Sequence, residues 1–102
     1  MTGPDAGTLD EAEQAAALEL AHVFPGPFPV VVIARPEDAF EHRLARLIAE
    51  LQPAGGNARL SVRPSRGGRY VSYRIELQLP TAHAAVRCRA RLAELDGVLL
   101  LL

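Results

Sequence analysis

The segment from Tyr70 to Leu79 alternates strictly between two kinds of side chain. One set is apolar: Val71, Tyr73, Ile75, Leu77 and Leu79. The other set, Tyr70, Ser72, Arg74, Glu76 and Gln78, is largely polar. Because successive strand residues point to opposite faces of a sheet, this segment predicts a long strand with one buried and one polar face. An antiparallel sheet covered on one side only has this pattern, and it constrains the fold of the chain more than any other segment.

Three further segments have strand character. Asn57 to Arg63 alternates again, with Ala58, Leu60 and Val62 against Arg59, Ser61 and Arg63. The five residues Ser65 to Arg69 contain two glycines and predict a hairpin between this strand and the next. Phe28 to Ala34 is rich in Val and Ile, which favours a central strand. Pro29 indicates that the first one or two residues of this segment lie at the entry of the strand. Val98 to Leu102 is fully apolar and predicts a final strand.

Two amphipathic helices are predicted between the strands. Pro36 stands where the first helical position is expected, and an apolar stripe follows at Phe40, Leu44, Leu47, Ile48 and Leu51. Pro53 and the pair Gly55-Gly56 are expected to end this helix. Thr81 is the predicted cap of the second helix, whose stripe is Ala82, Ala85, Cys88, Leu92 and Leu95.

An Ala-rich helix precedes the first strand. Thr8 and Glu11 have the spacing of a capping box, and the helix is expected to run to about Ala21. Its expected apolar side is weak and consists of Leu9, Ala12, Ala16, Leu20 and Val23. Residues 1–8 are small, polar and interrupted by Gly and Pro, so we expect them to be frayed.

The order is therefore one helix followed by β-α-β-β-α-β. Two split β-α-β units with right-handed crossovers predict an α+β, ferredoxin-like sandwich. It has a four-stranded antiparallel sheet of order 4-1-3-2 with two helices on one face. We divide the chain into residues 1–23, a tail and appended helix, and residues 24–102, the ferredoxin-like domain.

The amino-acid composition limits the classes of protein to which the chain can belong. The chain has 102 residues, and 49% of them are hydrophobic and 23% charged, as in an ordinary globular domain. It has a single cysteine, no apolar run near the length of a membrane span and no secretion signal, which predicts a soluble, cytoplasmic protein without membrane contact. Residues 1–56 carry nine acidic and three basic residues, whereas residues 57–102 carry three acidic and eight basic residues, all arginines.

Three segments resemble the YbeD-like family of small bacterial proteins, a domain of unknown function. They are Phe24-Pro25-Gly26-Pro27-Phe28, then Pro64 to Ser72 with its Pro-Ser and Gly-x-Tyr-x-Ser spacing, then Leu95-Asp96-Gly97-Val98. The resemblance covers about Val23 to Leu102. It implies a ferredoxin-like fold similar to small-molecule-binding regulatory (ACT) domains, and it implies no established activity.

The sequence does not favour catalysis. His22, His42 and His83 fall on or beside three different helices, without the spacing of a metal site. Cys88 has arginines nearby, but its place on an apolar stripe predicts a buried, inert thiol. We therefore expect no enzyme, no catalytic residue, no cofactor and no metal.

The candidate binding residues are Arg63, Arg66, Arg69, Tyr70 and Arg74, a basic-aromatic patch on the hairpin and the polar sheet face. The favoured hypothesis is a non-catalytic regulatory or protein-interaction module. Its open sheet face would combine Val or Ile of the first strand, Leu of the last strand and Tyr70, covered by the N-terminal helix, a second copy or an unknown protein partner.

Two alternatives stay open. Arg66 to Tyr73 approaches the pattern in which exposed aromatics stack on the bases of single-stranded RNA, although Arg69 and the aliphatic first strand depart from it. Nucleic acid is therefore a possible partner but not the favoured one. The other alternative, implied by the resemblance, is an ACT-like domain with a small ligand at an interface between two such domains.

Overall fold

The computed structural model describes residues 9–52 and 58–102. Its helices are α1 (Glu11–Ala21), α2 (Asp38–Leu51) and α3 (Ala82–Ala93). Its strands are β1 (Gly26–Ala34), β2 (Arg59–Pro64), β3 (Val71–Leu79) and β4 (Val98–Leu101). All neighbouring strands pair antiparallel, in the order β2-β3-β1-β4. This is the predicted order 4-1-3-2, and the predicted α+β architecture is confirmed.

The core lies between the sheet and the two helices α2 and α3. From β1 and β3 it takes the alternate residues Phe28, Val30, Val32, Tyr73, Ile75 and Leu77. From the helices it takes the predicted stripes, including Phe40, Leu44, Ala85, Cys88 and Leu92. The alternate residues of the strands and the apolar stripes of the helices therefore pack in a single apolar layer, and none of the described helices covers the other face of the sheet.

Helix α1 packs on α3, on the helix side of the molecule. Ala15 is buried against Ala82 and Val86, and Leu18 packs beside them. The predicted apolar side of α1 was wrong, because Leu20 and Val23 on that side are 91% and 82% exposed.

The N-terminal cap of α1 lies two residues beyond its predicted position. Asp10 is the cap, and its Oδ1 accepts a 2.8 Å hydrogen bond from the backbone N–H of Glu13, whose carboxylate accepts in return from the N–H of Asp10. Thr8, with residues 1–7, lies outside the described residues. Glu11 is consequently free of capping and reaches across to α3.

Several element boundaries differ from the prediction by one or two residues. Helix α2 begins at Asp38 with Glu37 as its N-cap, so Pro36 precedes the helix instead of opening it. The expected stop at Pro53 and Gly55-Gly56 lies outside the described residues. Strand β2 runs from Arg59 to Pro64, β3 begins at Val71 instead of Tyr70, and β4 ends at Leu101.

Two prolines occupy β1 where that strand has no neighbour on one side. Strand β1 begins at Gly26, before the predicted start, and includes Pro27 and Pro29. Val31 exchanges two backbone hydrogen bonds with Leu102, so the backbone N positions of residues 27 and 29 point in the same direction by alternation. The observed pairing of β4 does not extend to those positions. The prolines thus remove donors that the ladder does not use.

Arg43 connects α2 to the turn that enters β4. One of its guanidinium nitrogens donates to the carboxylate of Glu37 and, at 2.9 Å, to the backbone carbonyl of Asp96. Gly97 follows with φ of 102°, a left-handed conformation that favours glycine. Arg43 lies outside the predicted apolar stripe of α2, and its side chain holds this turn.

Within the described ranges, none of the helices is long and apolar enough to cross a membrane.

Candidate functional site: the open sheet face

The sheet face opposite the helices divides into two halves. Register pairs place Ser61 opposite Arg74 and Arg63 opposite Ser72, on β2 and β3. On β1 and β4, Ile33 lies opposite Leu100, and Val31 pairs with Leu102 through its backbone. We call the first set the arginine half and the second set, Val31, Ile33, Leu100 and Leu102, the apolar half.

A depression of about 470 Å³ lies in the arginine half and reaches its border with β1. Its lining consists of Val31, Ser61, Arg63, Ser72 and Arg74. Cross-strand neighbours of this kind have their Cβ atoms about 5–8 Å apart, so the two arginines share one site with the serine hydroxyls between them. Guanidinium groups beside hydroxyl donors form a surface suited to carboxylate or phosphate oxygens.

The hairpin continues this surface. Ser65 organises the loop: its Oγ accepts hydrogen bonds from the backbone N–H groups of Arg69 and Tyr70 at 3.0 and 3.2 Å. Gly68 has φ of 71°, which a glycine adopts without strain, and its N–H donates to the carbonyl of Ser65. The loop thereby presents Tyr70, whose side chain is 44% exposed.

A second depression of about 470 Å³ is formed there by Arg63, Pro64, Ser65, Arg66, Tyr70 and Ser72. The two depressions share Arg63 and Ser72. Four of the five predicted site residues, Arg63, Arg66, Tyr70 and Arg74, therefore lie on one continuous surface. Arg69 lines neither depression.

Ser61 and Ser72 were not among the predicted site residues. They alternate in phase with Arg63 and Arg74, so the strand pattern carried the signal that would have found them.

The arginines of this surface form no ion pair with the carboxylates that the structure describes. Elsewhere the chain pairs Arg43 with Glu37, Arg87 with Glu11 and Arg91 with Glu50. Over residues 9–52 and 58–102, no ion pair involves the arginines of β2, the hairpin or β3. Arg63 and Arg74 therefore line the depression without an ion pair among the described residues.

The apolar half is partly exposed. Leu100 and Leu102 are 50% and 59% exposed, and Leu99, at an irregularity of β4, is 49% exposed. Because α1 packs on α3, it does not cover this face, and the first of the three expected coverings is excluded. Tyr70 lies beside Arg63 and Ser72 of the arginine half, and not beside the leucines of β4 as expected from the sequence.

The single cysteine of the chain lies in the core. Cys88 is buried, 4% exposed, and burial raises the pKa of its thiol, although Arg91 nearby acts in the opposite direction. A reactive thiol requires a lowered pKa and access, so the position has the character of a core residue. Across the described ranges, no group of three or more His, Cys, Asp or Glu side chains is arranged to hold a metal ion.

A family model described as "Protein of unknown function (DUF493)" matches residues 20–102. The chain belongs to this family. The UPF0250 protein RSc0326 of Ralstonia nicotianae is 31% identical over 48 residues, which are 47% of this chain and 50% of that relative. The match thus spans half the length of this curated relative. The YbeD-like resemblance of the three sequence segments is confirmed by these findings.

The DUF493 fold is also found in a solved structure. The solution structure of protein HP0495 from H. pylori matches with a TM-score of 0.66, covering 100% of this chain and 96% of that one at 14% identity. At this identity the likeness concerns the fold alone.

Proposed function

We propose that this DUF493 member is a non-catalytic protein-interaction module with a regulatory role, and that its partner binds the open sheet face and the basic hairpin. One observation carries the proposal: the open face combines an exposed apolar half with the arginines Arg63 and Arg74, which form no ion pair among the described residues. Monomeric proteins rarely leave such a combination without a partner.

The chemistry of the face defines the partner. Carboxylates should lie over the depression between Arg63 and Arg74, where bidentate guanidinium contacts are possible. Apolar side chains should lie over Val31 and Ile33, next to that depression. A protein surface with an apolar stripe flanked by acidic residues fits both halves.

The proposal that the module is not an enzyme is supported by the burial of Cys88 and the raised pKa of its thiol. It is also supported by the histidines, since His22 lies against the rings of Phe24 and Phe28, whereas His83 contacts Glu11. Each of these side chains has a structural contact that accounts for its position.

The test uses the full chain, immobilised, and a lysate of native cells. The double variant Arg63→Ala/Arg74→Ala is compared with Arg46→Ala, which removes an exposed arginine of α2 without an ion pair among the described residues. A captured partner is then identified, purified and titrated against each variant by calorimetry.

We expect the double variant to weaken binding at least tenfold, since each charge-assisted hydrogen bond contributes about 1.5–3 kcal/mol. Arg46→Ala should bind within about twofold of the original chain. Equal binding by all three proteins would overturn the assignment of the site.

Binding of single-stranded nucleic acid is the second candidate, favoured by the exposed ring of Tyr70 beside Arg63 and Arg66. Stacking on Tyr70 predicts that Tyr70→Ala costs about 1–3 kcal/mol of affinity and that affinity falls steeply with salt. Fluorescence anisotropy with a labelled RNA oligomer measures both effects. No binding at low salt would remove this candidate.

A further inference from the structure

Strand β4 forms one edge of the sheet, and its outer side is unprotected. Leu102 exchanges hydrogen bonds with Val31, so the backbone N–H and C=O of Leu101 point away from β1 by alternation. The segment Val98 to Leu102 contains no charged residue and no proline. An edge with these properties is a template for pairing with another strand.

The chain protects its other exposed edges. Strand β2, at the opposite edge of the sheet, carries Arg59 and Arg63 and ends in Pro64. The part of β1 beyond the reach of β4 carries Pro27 and Pro29. Charged side chains and prolines are the usual means by which proteins prevent edge-to-edge association. Only β4, among the edges that the structure describes, lacks both.

We propose that β4 pairs antiparallel with β4 of a second copy of this chain, forming a dimer with a continuous eight-stranded sheet. In a two-fold symmetric interface each strand meets its own copy, so any charge on the strand would face its like. Strand β4 has no charged side chain to repel its copy, whereas β2 would bring arginines together. This pairing uses the outer edge of β4 in each of the two copies, so the assembly closes at two chains.

The side chains of the open face also favour pairing with a second copy of this chain. Leu100 and Leu102 of the two copies would lie beside one another, extending the two apolar halves into one central band. The arginine halves would lie at the two ends of the joined sheet. A four-residue strand with these leucines buries less than the ~800 Å² per partner of a standard interface, which predicts a micromolar dissociation constant.

The dimer does not rest on the proposed function, because the partner site is tested at Arg63 and Arg74 and the dimer at β4. Sedimentation equilibrium on the full chain over about 1–1,000 μM covers the expected range of dissociation constants. The mass should rise from the 11.0 kDa of one chain to twice that value. A mass that stays at 11.0 kDa, or that grows beyond two chains, would overturn the proposal.

The matched variants are Leu100→Lys and Leu60→Lys. Both replace half-exposed leucines, 50% and 42% exposed, one on β4 and one on β2. Leu100→Lys should remain a monomer and Leu60→Lys should dimerise like the original chain, with circular dichroism melting curves showing that both are folded. Equal dimerisation of the two variants would place the interface elsewhere.

Hydrogen exchange provides a second readout without any substitution. The amide of Leu101 should exchange more slowly as the protein concentration rises, while amides on the outer edge of β2 keep a constant rate. A dimer in which the Leu101 amide still exchanges rapidly would contradict edge pairing.

Discussion

Substitution of Gly97 by alanine should destabilise the protein more than substitution of the other positive-φ glycine. Gly97 has φ of 102°, and a Cβ at this position would lie 2.9 Å from Cδ1 of Phe40 and 3.3 Å from Nη2 of Arg43. Phe40 is completely buried and cannot move aside without disturbing the core. Gly97→Ala therefore combines backbone strain with overpacking.

The expected size follows from these two effects. Backbone strain costs about 1–3 kcal/mol and overpacking of a core costs about 1–3 kcal/mol. The sum of about 2–6 kcal/mol is a large part of the 5–15 kcal/mol that is typical of whole domains. With a urea dependence of about 2 kcal/mol per molar, the unfolding midpoint should fall by roughly 1–3 M.

Gly68→Ala is the matched control. Gly68 has φ of 71°, but apart from Gly68 itself and its two chain neighbours, no atom of the described residues lies within 4 Å of the point that an alanine Cβ would occupy there. Its substitution should cost only the left-handed backbone penalty of about 1–2 kcal/mol. The loss of unfolded-state entropy on replacing glycine is shared by both variants and cancels in their difference. If Gly97→Ala is no less stable than Gly68→Ala in urea titrations, the proposed contact with Phe40 does not limit this turn.

Two further predictions concern α1 and the core thiol. Hydrogen bonds from His83 and then Arg87 lower the pKa of the Glu11 carboxyl from 4.5, so its contribution to docking α1 is present above pH 4.5 and is lost as the pH falls through the folded-state pKa. The protection factors of the α1 amides, which correct the observed exchange rates for the intrinsic slowing of exchange in acid, should fall in that acidic window. Glu11→Gln should remove this pH dependence, and protection factors that do not change with pH would contradict the role of the contact. Cys88 should be alkylated far more slowly in the native protein than in urea, because it is buried and its pKa is raised by burial. Equal rates in the two states would show that the thiol is accessible.

Local patterns in the sequence determined the elements of the core domain and their order. The alternation of β3 and the stripe Phe40, Leu44 and Leu47 each match one regular structure, because only a period of two or of 3.6 places those side chains on one face. The handedness of crossovers then leaves one arrangement of strands, which is the one observed. The same alternation placed most of the candidate site, since Arg63 and Arg74 had to share the polar face.

Exposure at the sheet edge was decided by the tertiary structure. Leu60 and Val62 alternate like core residues and lie opposite Ile75 and Tyr73, yet they are 42% and 45% exposed. Alternation assigns a side chain to a face, but burial requires that a helix cover that part of the face. The lengths and positions of α2 and α3 decide this, and no pattern within β2 records them.

The side on which α1 packs could likewise not be predicted from the sequence. Alanines lie on all sides of this helix, so its sides differ little in hydrophobicity and the sequence pattern alone does not select the side that packs. The choice comes from residues distant in the chain: Ala15 fits against Ala82 and Val86, and Glu11 reaches the side chains of α3. Because these contacts draw α1 to the helix layer, none of the described helices covers the open face of the sheet, and this exposure is a property of the tertiary structure.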